Sequence, residues 1–593
     1  MRALRADNGI LQCVTGWESE CTRCAGSNDS SDANRLVCLP ALNAVQTLDA
    51  TRGGLIDPVI LWLGGTFIGG LLASFIMEAA LRPRPVAPWR RPGASVGVHV
   101  GILLVAYGLE LMLFRRPVFA MLNVLAIQAV IVLVSQAKFG ALCEPFVYPD
   151  FEYFLDAIKH PRLYLPFFGR LKALAASGSY GLMLWAGLTV EDSLISAAGL
   201  WIASFADWIE EDTMSSAWGL AAFWAMAAGL VLFGAILTIW CGRDRASTRV
   251  TFDAGDDLRR LGLFTALWRY RVHETRAIRL PQANGFALNA GASLSSDAAP
   301  DIVVVQSESF FDARRSFPMI RRDVLAQFDA LREQARVFGT LAVAAWGANT
   351  VRTEFAFLSG LKPDALGVHQ FNPYRKLAAQ GIPTLASYLR DKGYRTVCVH
   401  PYPASFYRRA QVYPLLGFEH FYDVEAFAGA ERFGPYVSDA AVGEHVKRLI
   451  ADRGADPRPL FVFVITMENH GPLHWETVDA EDEARFMKPE ADALPAACSD
   501  LIAYVRHLKN ADGMFQQLSD ALSSSDRPAR LCIYGDHVPI MPSVYASLGE
   551  PDGRTDFLLW DPGVARAPVS GQSGHAVHLH VSDLAGVLLR DQV

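Results

Sequence analysis

Cysteine is scarce in this chain, with nine in 593 residues. Four of them, Cys13, Cys21, Cys24 and Cys38, crowd the amino-terminal stretch. Cys21-x-x-Cys24 offers half of a zinc site, but the spacings to Cys13 and Cys38 fit no standard ligand pattern. An excess of charge of either sign is missing too: a formal net charge of -7 is mild for this length and argues against a nucleic-acid partner. Residues 1–50 hold no apolar run of the kind a cleavable signal peptide needs. The stretch Gly26–Asn34 (GSNDSSDAN) is polar and low in complexity. Residues 1–54 are therefore expected to be a disordered tail.

Apolar residues are plentiful but unevenly placed. They make up 51% of the chain, the mean hydropathy is +0.19, and the excess lies before Trp240. That asymmetry predicts a membrane domain over residues 55–240, then a soluble part. A spanning helix needs about 20 mostly apolar residues. Five segments meet or approach this: Pro58–Leu81, Val98–Phe114, Val118–Ala137, Ala173–Val190 and Ala217–Trp240. Glu110 sits near the end of the second, close enough to snorkel. Between the third and fourth, Tyr148–Gly169 mixes aromatic and charged residues at near-helical spacing, the composition of an interfacial helix. Counted over five spans, the Lys/Arg rule places the Arg82–Arg91 loop, the Lys138–Lys172 loop and everything after Trp240 in the cytoplasm.

Residues 241–300 read as a basic amphipathic connecting helix and a Gly/Ala/Ser-rich linker ending at Pro300. From Asp301 the pattern changes. Five short apolar runs, Ile302–Val305, Thr396–Val399, Leu460–Ile465, Leu531–Tyr534 and Phe557–Trp560, alternate with helical patterns. This predicts an α/β domain over residues 301–593 with a mostly parallel central sheet. Sites in such sheets lie at the carboxyl ends of the strands. Four of the runs lead there into Glu308, His400, His470 and the pair Asp536–His537. Oxygen ligands beside imidazole suit one divalent cation, Mn²⁺, Zn²⁺ or Mg²⁺. A nucleophile is offered by "WGANTVRTEFAFLSGL". Its glycine and asparagine turn places Thr350 at a helix start, where free N–H groups favour an anion and a nearby metal would activate a hydroxyl. Asn349 or Thr350 acting simply as an N-cap fits the same pattern.

The ordered set "ESF", "GANTVRTEF", "HPYPASFYRRAQVY", "TMENHGP" and "YGDH" resembles the lipoteichoic acid synthase branch of the alkaline phosphatase/sulfatase superfamily over roughly 300 residues, and the multi-span half resembles it more loosely. The resemblance implies that Glu308, Thr350, Asp536 and His537 hold one cation, with Mn²⁺ expected. It makes Thr350 the nucleophile that takes up glycerol phosphate, and gives His470 contact with the phosphate or with a reacting hydroxyl. It has His400, Tyr407 and Arg409 bind the phosphoglycerol group, with Tyr407 standing where the family usually has Trp. No Cys/Ser-x-Pro-x-Arg motif lies near Thr350, which disfavours sulfate-ester hydrolysis. The histidines His575, His578 and His580 are a weak candidate for a second metal.

The function implied is a membrane phosphoglycerol transferase. It would take its head group from phosphatidylglycerol through a phosphothreonine and pass it to a glycan or polyol-phosphate acceptor. Phosphoethanolamine transfer, phosphodiester hydrolysis on the same fold, and an inactive membrane sensor are the alternatives. The resemblance also implies a multi-pass inner-membrane protein with its catalytic domain outside the cytoplasm, against the Lys/Arg count. Reading Val98–Phe114 and Val118–Ala137 as one broken span would change the parity and remove the conflict.

Overall fold

The computed structural model describes residues 58–152, 170–194, 212–276, 299–452, 456–489, 494–563 and 576–590. The cysteine-bearing tail, most of the expected interfacial helix and the Gly/Ala/Ser linker lie outside these residues. The five expected apolar segments are helices: α1 Pro58–Glu78, α2 Gly93–Phe114, α3 Pro117–Leu142, α4 Arg170–Val190 and α5 Asp212–Gly242. Within α1, α2, α3 and α5, four stretches are long and apolar enough to cross a membrane.

Helices α2 and α3 are separate and pack on each other, joined by Arg115 in the left-handed region (φ 59) and Arg116. Each qualifies as a span by itself, so they are not one broken unit. Close approach of α2 to α5 depends on glycine: a methyl group on Gly101 or on Gly234 would meet the other's carbonyl oxygen at 2.7 Å. Glu110 does not simply snorkel; its carboxylate accepts from Asn123 Nδ2 on α3 (2.8 Å).

The connecting segment is two helices, not one. They are α6 Ala254–Leu261 and α7 Leu263–Glu274, broken at Gly262, whose φ of +77° suits glycine. They are fastened to the ends of the apolar helices. Glu78 of α1 pairs with Arg91 (2.6 Å) and accepts the Leu263 N–H, and Thr265 Oγ1 donates to the Ser95 carbonyl of α2 (2.8 Å). The described start of the expected interfacial helix, Tyr148–Glu152, is a 3-10 turn whose Asp150 is buried.

The second half is built on an eight-stranded sheet of order β10-β2-β9-β8-β1-β7-β3-β4. The strands are β1 Asp301–Ser307, β2 Val337–Ala342, β3 Arg395–Val399, β4 His420–Tyr422, β7 Leu460–Ile465, β8 Ala529–Gly535, β9 Thr555–Trp560 and β10 Val577–His580. A separate hairpin pairs β5 Arg432–Phe433 with β6 Tyr436–Val437. Only β9 runs antiparallel to its neighbours β2 and β8.

Central strands β1, β7 and β8 are buried along their whole length because helices cover both faces, which is why they read as unbroken apolar runs. Alternate residues divide between two cores. Val303, Val305, Val462, Val464, Leu531 and Ile533 face one core, and Ile302, Val304, Phe461, Phe463, Cys532 and Tyr534 face the other. The helices used below are α8 Thr350–Ser359, α9 Arg409–Leu416, α10 Asp439–Ala451 and α11 Ser499–Ser523.

Candidate active site

Register alone gathers the site. In the parallel pairing Gln306 lies opposite Ile465 on one side and Tyr534 on the other, so the three central strands end level with one another. The residues just past those ends then share one rim. Glu308 is fixed by its backbone, whose N–H donates to Thr466 Oγ1 (2.9 Å). Asp536 Oδ1 accepts from the N–H groups of Ser309 (2.8 Å) and His537 (2.9 Å). The Nδ1 of His537 lies 3.1 Å from the Val538 carbonyl and donates to it, which turns Nε2 toward the rim. That Nε2 is 3.3 Å from Asp536 Oδ2 and 3.6 Å from Glu308.

Three buried atoms here, Glu308 Oε2, Asp536 Oδ2 and His537 Nε2, have no hydrogen-bond partner. An unpartnered buried polar atom costs about 1–3 kcal/mol, more when charged. Three converging ligand-type atoms without a partner offer a place for a cation. Their ligand atoms lie within 4.8 Å of one another. Burial and the neighbouring Asp536 carboxylate push the Glu308 carboxyl up to about 8. The donor set, two carboxylates and one imidazole, fits a divalent ion and does not choose among Mn²⁺, Mg²⁺ and Zn²⁺.

Thr350 is the first residue of α8. Asn349 precedes it in the left-handed region (φ 67), with no side-chain cap, so the simple N-cap reading of Asn349 fails. The helix is tied to the rim one turn on, where Thr353 Oγ1 donates to the Asp536 carbonyl (2.8 Å).

His400 is buried with Nδ1 3.1 Å from the Ile465 carbonyl; burial first, and Arg409 next, hold it well below the usual imidazole range. His470 has Nδ1 2.8 Å from the Gly471 carbonyl and 3.2 Å from the Tyr436 hydroxyl, and burial lowers its pKa. Both rings are thus neutral at pH 7, with Nδ1 protonated and Nε2 basic. Arg409 is 1% exposed. Its Nε donates to the Tyr413 hydroxyl (2.7 Å) and Nη2 to Glu354 (3.1 Å), while Nη1 is buried without a partner. The Tyr407 ring lies 5.2 Å from the Arg409 guanidinium.

Several neighbours escaped the sequence reading. Glu354 accepts from the Tyr374 and Tyr413 hydroxyls as well as from Arg409. A carboxylate inside the apolar run of α8 was the one available signal for it. Tyr436, on the β5–β6 hairpin, and Thr466 carried none. His578 is on the exposed edge strand β10 against Thr340 Oγ1 (2.6 Å), away from the three-ligand rim; His575 lies outside the described residues.

Residues 300–588 match the family model described as Sulfatase. A relative from Rhizobium meliloti (strain 1021), "Capsular polysaccharide biosynthesis protein RkpI", is 35% identical over 276 residues, which is 46% of this chain and 47% of that protein. The chain spans about half the length of the curated relatives it matches. Among solved structures, the Streptococcus pyogenes phosphoglycerol transferase GacH in complex with sn-glycerol-1-phosphate is 21% identical over 53% of this chain and 83% of its own, with a TM-score of 0.40. The Neisseria meningitidis lipooligosaccharide phosphoethanolamine transferase EptA is 12% identical over 88% of this chain and 95% of its own, with a TM-score of 0.46. Residues 300–588 are a sulfatase-family domain, carried behind a series of apolar helices.

Proposed function

We propose that the chain is a membrane-bound phosphoryl transferase that moves glycerol phosphate from phosphatidylglycerol to an acceptor hydroxyl. The observation that carries this is the rim of three unpartnered ligand atoms beside the start of α8. Glu308, Asp536, His537 and Thr350 would hold one divalent cation. When bound, it would lower the pKa of the threonine hydroxyl and neutralise charge on the phosphoryl oxygens.

Thr350 Oγ attacks phosphorus, the bond to the diacylglycerol oxygen breaks, the proton Thr350 loses ends on that oxygen, and a glycerophosphoryl-threonine forms. The acceptor oxygen then displaces Thr350, whose oxygen regains a proton as the acceptor hydroxyl loses one. The free N–H groups at the start of α8 face the anion. Arg409 Nη1, buried and unpartnered, is free to donate to a phosphoryl oxygen, and His400 Nε2 faces the same group. His470 Nε2, the basic nitrogen of a neutral ring, takes the proton of the attacking acceptor hydroxyl. A membrane-embedded lipid donor explains the apolar helices. A glycan acceptor fits the relative named for capsular polysaccharide biosynthesis.

Incubation with phosphatidylglycerol should add glycerol phosphate to Thr350, read by peptide mass spectrometry. Labelling by phosphatidylethanolamine instead would make the chain a phosphoethanolamine transferase, and labelling of another residue would move the nucleophile.

The same reading makes this an inner-membrane protein with its domain outside the cytoplasm. The Lys/Arg count opposes that, but Arg91 and Lys138 are spent in ion pairs with Glu78, Glu144 and Asp150. A carboxyl-terminal alkaline phosphatase fusion should be active and a green fluorescent protein fusion dark; the reverse pattern places the domain inside.

A further inference from the structure

The loop that carries His470 leaves β7 at Ile465 and runs to Glu476. Each of its flanks bears a carboxylate, and both carboxylates end on one imidazole. His507, on α11, has Nδ1 3.0 Å from Glu468 Oε1 and Nε2 2.9 Å from Glu476 Oε1. Its side chain is 0% exposed. Glu468 precedes His470 by two residues and Glu476 follows it by six.

We propose that His507 is a positioning residue: its imidazolium staples the two flanks of the His470 loop and so holds His470 Nε2 on the reacting hydroxyl. The inference rests on the reaction proposed above.

The geometry requires the cation. A neutral imidazole donates from one nitrogen only, so its second lone pair would point at a buried carboxylate. Burial opposes charging the ring, but the hydrogen bonds to Glu468 and Glu476 outweigh it and raise His507 to about 9.

The surroundings agree from every element packed there. Glu468 also accepts from Asn510 Nδ2 (2.6 Å) and from the Asp439 N–H at the start of α10 (2.7 Å). The Asp439 carboxyl is itself raised, by burial first and then by Glu468. Glu476 also accepts from Arg506 Nη2 (2.8 Å), whose other arm holds Asp482 (3.0 Å). Phe433 of the hairpin stands edge-on to His507 at 5.1 Å. Three residues on, the Tyr436 hydroxyl meets His470 Nδ1 (3.2 Å) and the Gly471 carbonyl (3.2 Å). The staple therefore supports the hairpin and the loop together. None of these partners is among the candidate metal ligands.

Two variants separate this role from general stability. His507→Gln leaves one flank unbridged. Glu476→Gln lets a neutral His507 donate to Glu468 and accept from the amide, so the bridge survives without the charge. In the purified full chain with phosphatidylglycerol, His507→Gln should lower kcat about tenfold to hundredfold with KM changed less than about threefold. Wild-type kcat should fall as pH rises through about 9, and Glu476→Gln should keep kcat within about threefold and lose that fall. Acylation of His470 by diethyl pyrocarbonate, mapped by mass spectrometry, needs no substrate. It should be severalfold faster in His507→Gln and unchanged in Glu476→Gln.

Equal losses in both variants, or wild-type kcat and His470 reactivity in His507→Gln, would overturn the staple. If the wild type turns over no phosphodiester donor, the proposed reaction fails, and the His470 acylation rates alone then decide for or against the staple.

Discussion

The first turn of α8 separates two clusters of charge, one half-buried and one buried, and they differ in what is left over. On one side lies a latch to the apolar helices. Arg352 holds Glu144 through Nη1 (2.7 Å) and Nη2 (3.1 Å), and Lys138 holds both Glu144 and Asp150 at 2.6 Å. Two cations meet two carboxylates, and none of these atoms stands among the buried polar atoms without a partner. Burial works against Glu144, but Arg352 and Lys138 hold it down to about 2. Lys138 cannot serve both carboxylates fully, and burial leaves Asp150 raised. On the other side lies the rim, where Glu308, Asp536 and His537 bring three ligand atoms together and leave each without a hydrogen-bond partner. A satisfied cluster is finished as structure. One with ligand atoms left over stays open to a further partner.

The largest expected effect tests the rim. Asp536→Ala should abolish retention of a divalent ion, read by elemental analysis, and lower turnover by several orders of magnitude. Removing the ion with a chelator should do the same reversibly. Thr350→Ala should lose turnover comparably while keeping the ion. Because the buried Asp536 carboxylate sits against Glu308 and raises its pKa, Asp536→Asn should raise the melting temperature of the metal-free protein by removing that repulsion. A drop instead would mean that the rim is satisfied in a way its geometry does not show.

The latch should respond in the opposite sense. Arg352→Ala removes one of the two cations held against the half-buried Glu144 and should cost about 2 kcal/mol by denaturant unfolding, below the range for a fully buried pair because Glu144 is partly exposed and Lys138 stays. Retention of the ion should be unchanged. The sign with pH follows from Glu144: its folded pKa is depressed, so its contribution is present above the unfolded value of about 4.5 and is lost as pH falls toward 2. Arg352→Ala should flatten that part of the profile. Loss of ion binding in Arg352→Ala would merge the two clusters into one unit.

How much of this was legible follows from how each contact is encoded. The strands β1, β3, β7, β8 and β9 announced themselves because burial on both faces demands unbroken apolar runs. Their ends then delivered Glu308, His400, His470, Asp536 and His537. β2 (VFGTLA) did not, because it carries a glycine and partly exposed positions near the sheet edge, and β10 (VHLH) reads as a histidine cluster. The break at Gly262 looked like one helix because α6 and α7 share a single basic pattern. The latch and the staple were invisible for another reason. Glu144 and Arg352 are 208 residues apart, and Glu468 and His507 are 39 apart. No spacing rule links such pairs; only the packing of α11 and the fastening of α3 bring them together.

The smallest expected effect falls on a residue that sits between the two kinds of cluster. Tyr407 and Arg408 both occupy the left-handed region, with φ of 52° and 57°, just before α9 begins at Arg409. For residues with a Cβ this costs about 1–2 kcal/mol each. What the strained pair achieves is placement: the Tyr407 ring stands over Arg409 and 4.2 Å from Phe406. Tyr407→Gly removes the strain and the ring together. If the ring serves the head group, stability should stay within about 1 kcal/mol of wild type, while KM for the lipid donor rises severalfold, the size of one lost cation–π contact. Tyr407→Trp should hold KM within about threefold, because an indole keeps the π face over the guanidinium. If instead Tyr407→Gly melts several degrees lower with KM unchanged, the ring belongs with the latch, as packing already complete, and the strain at Tyr407 has no part in binding.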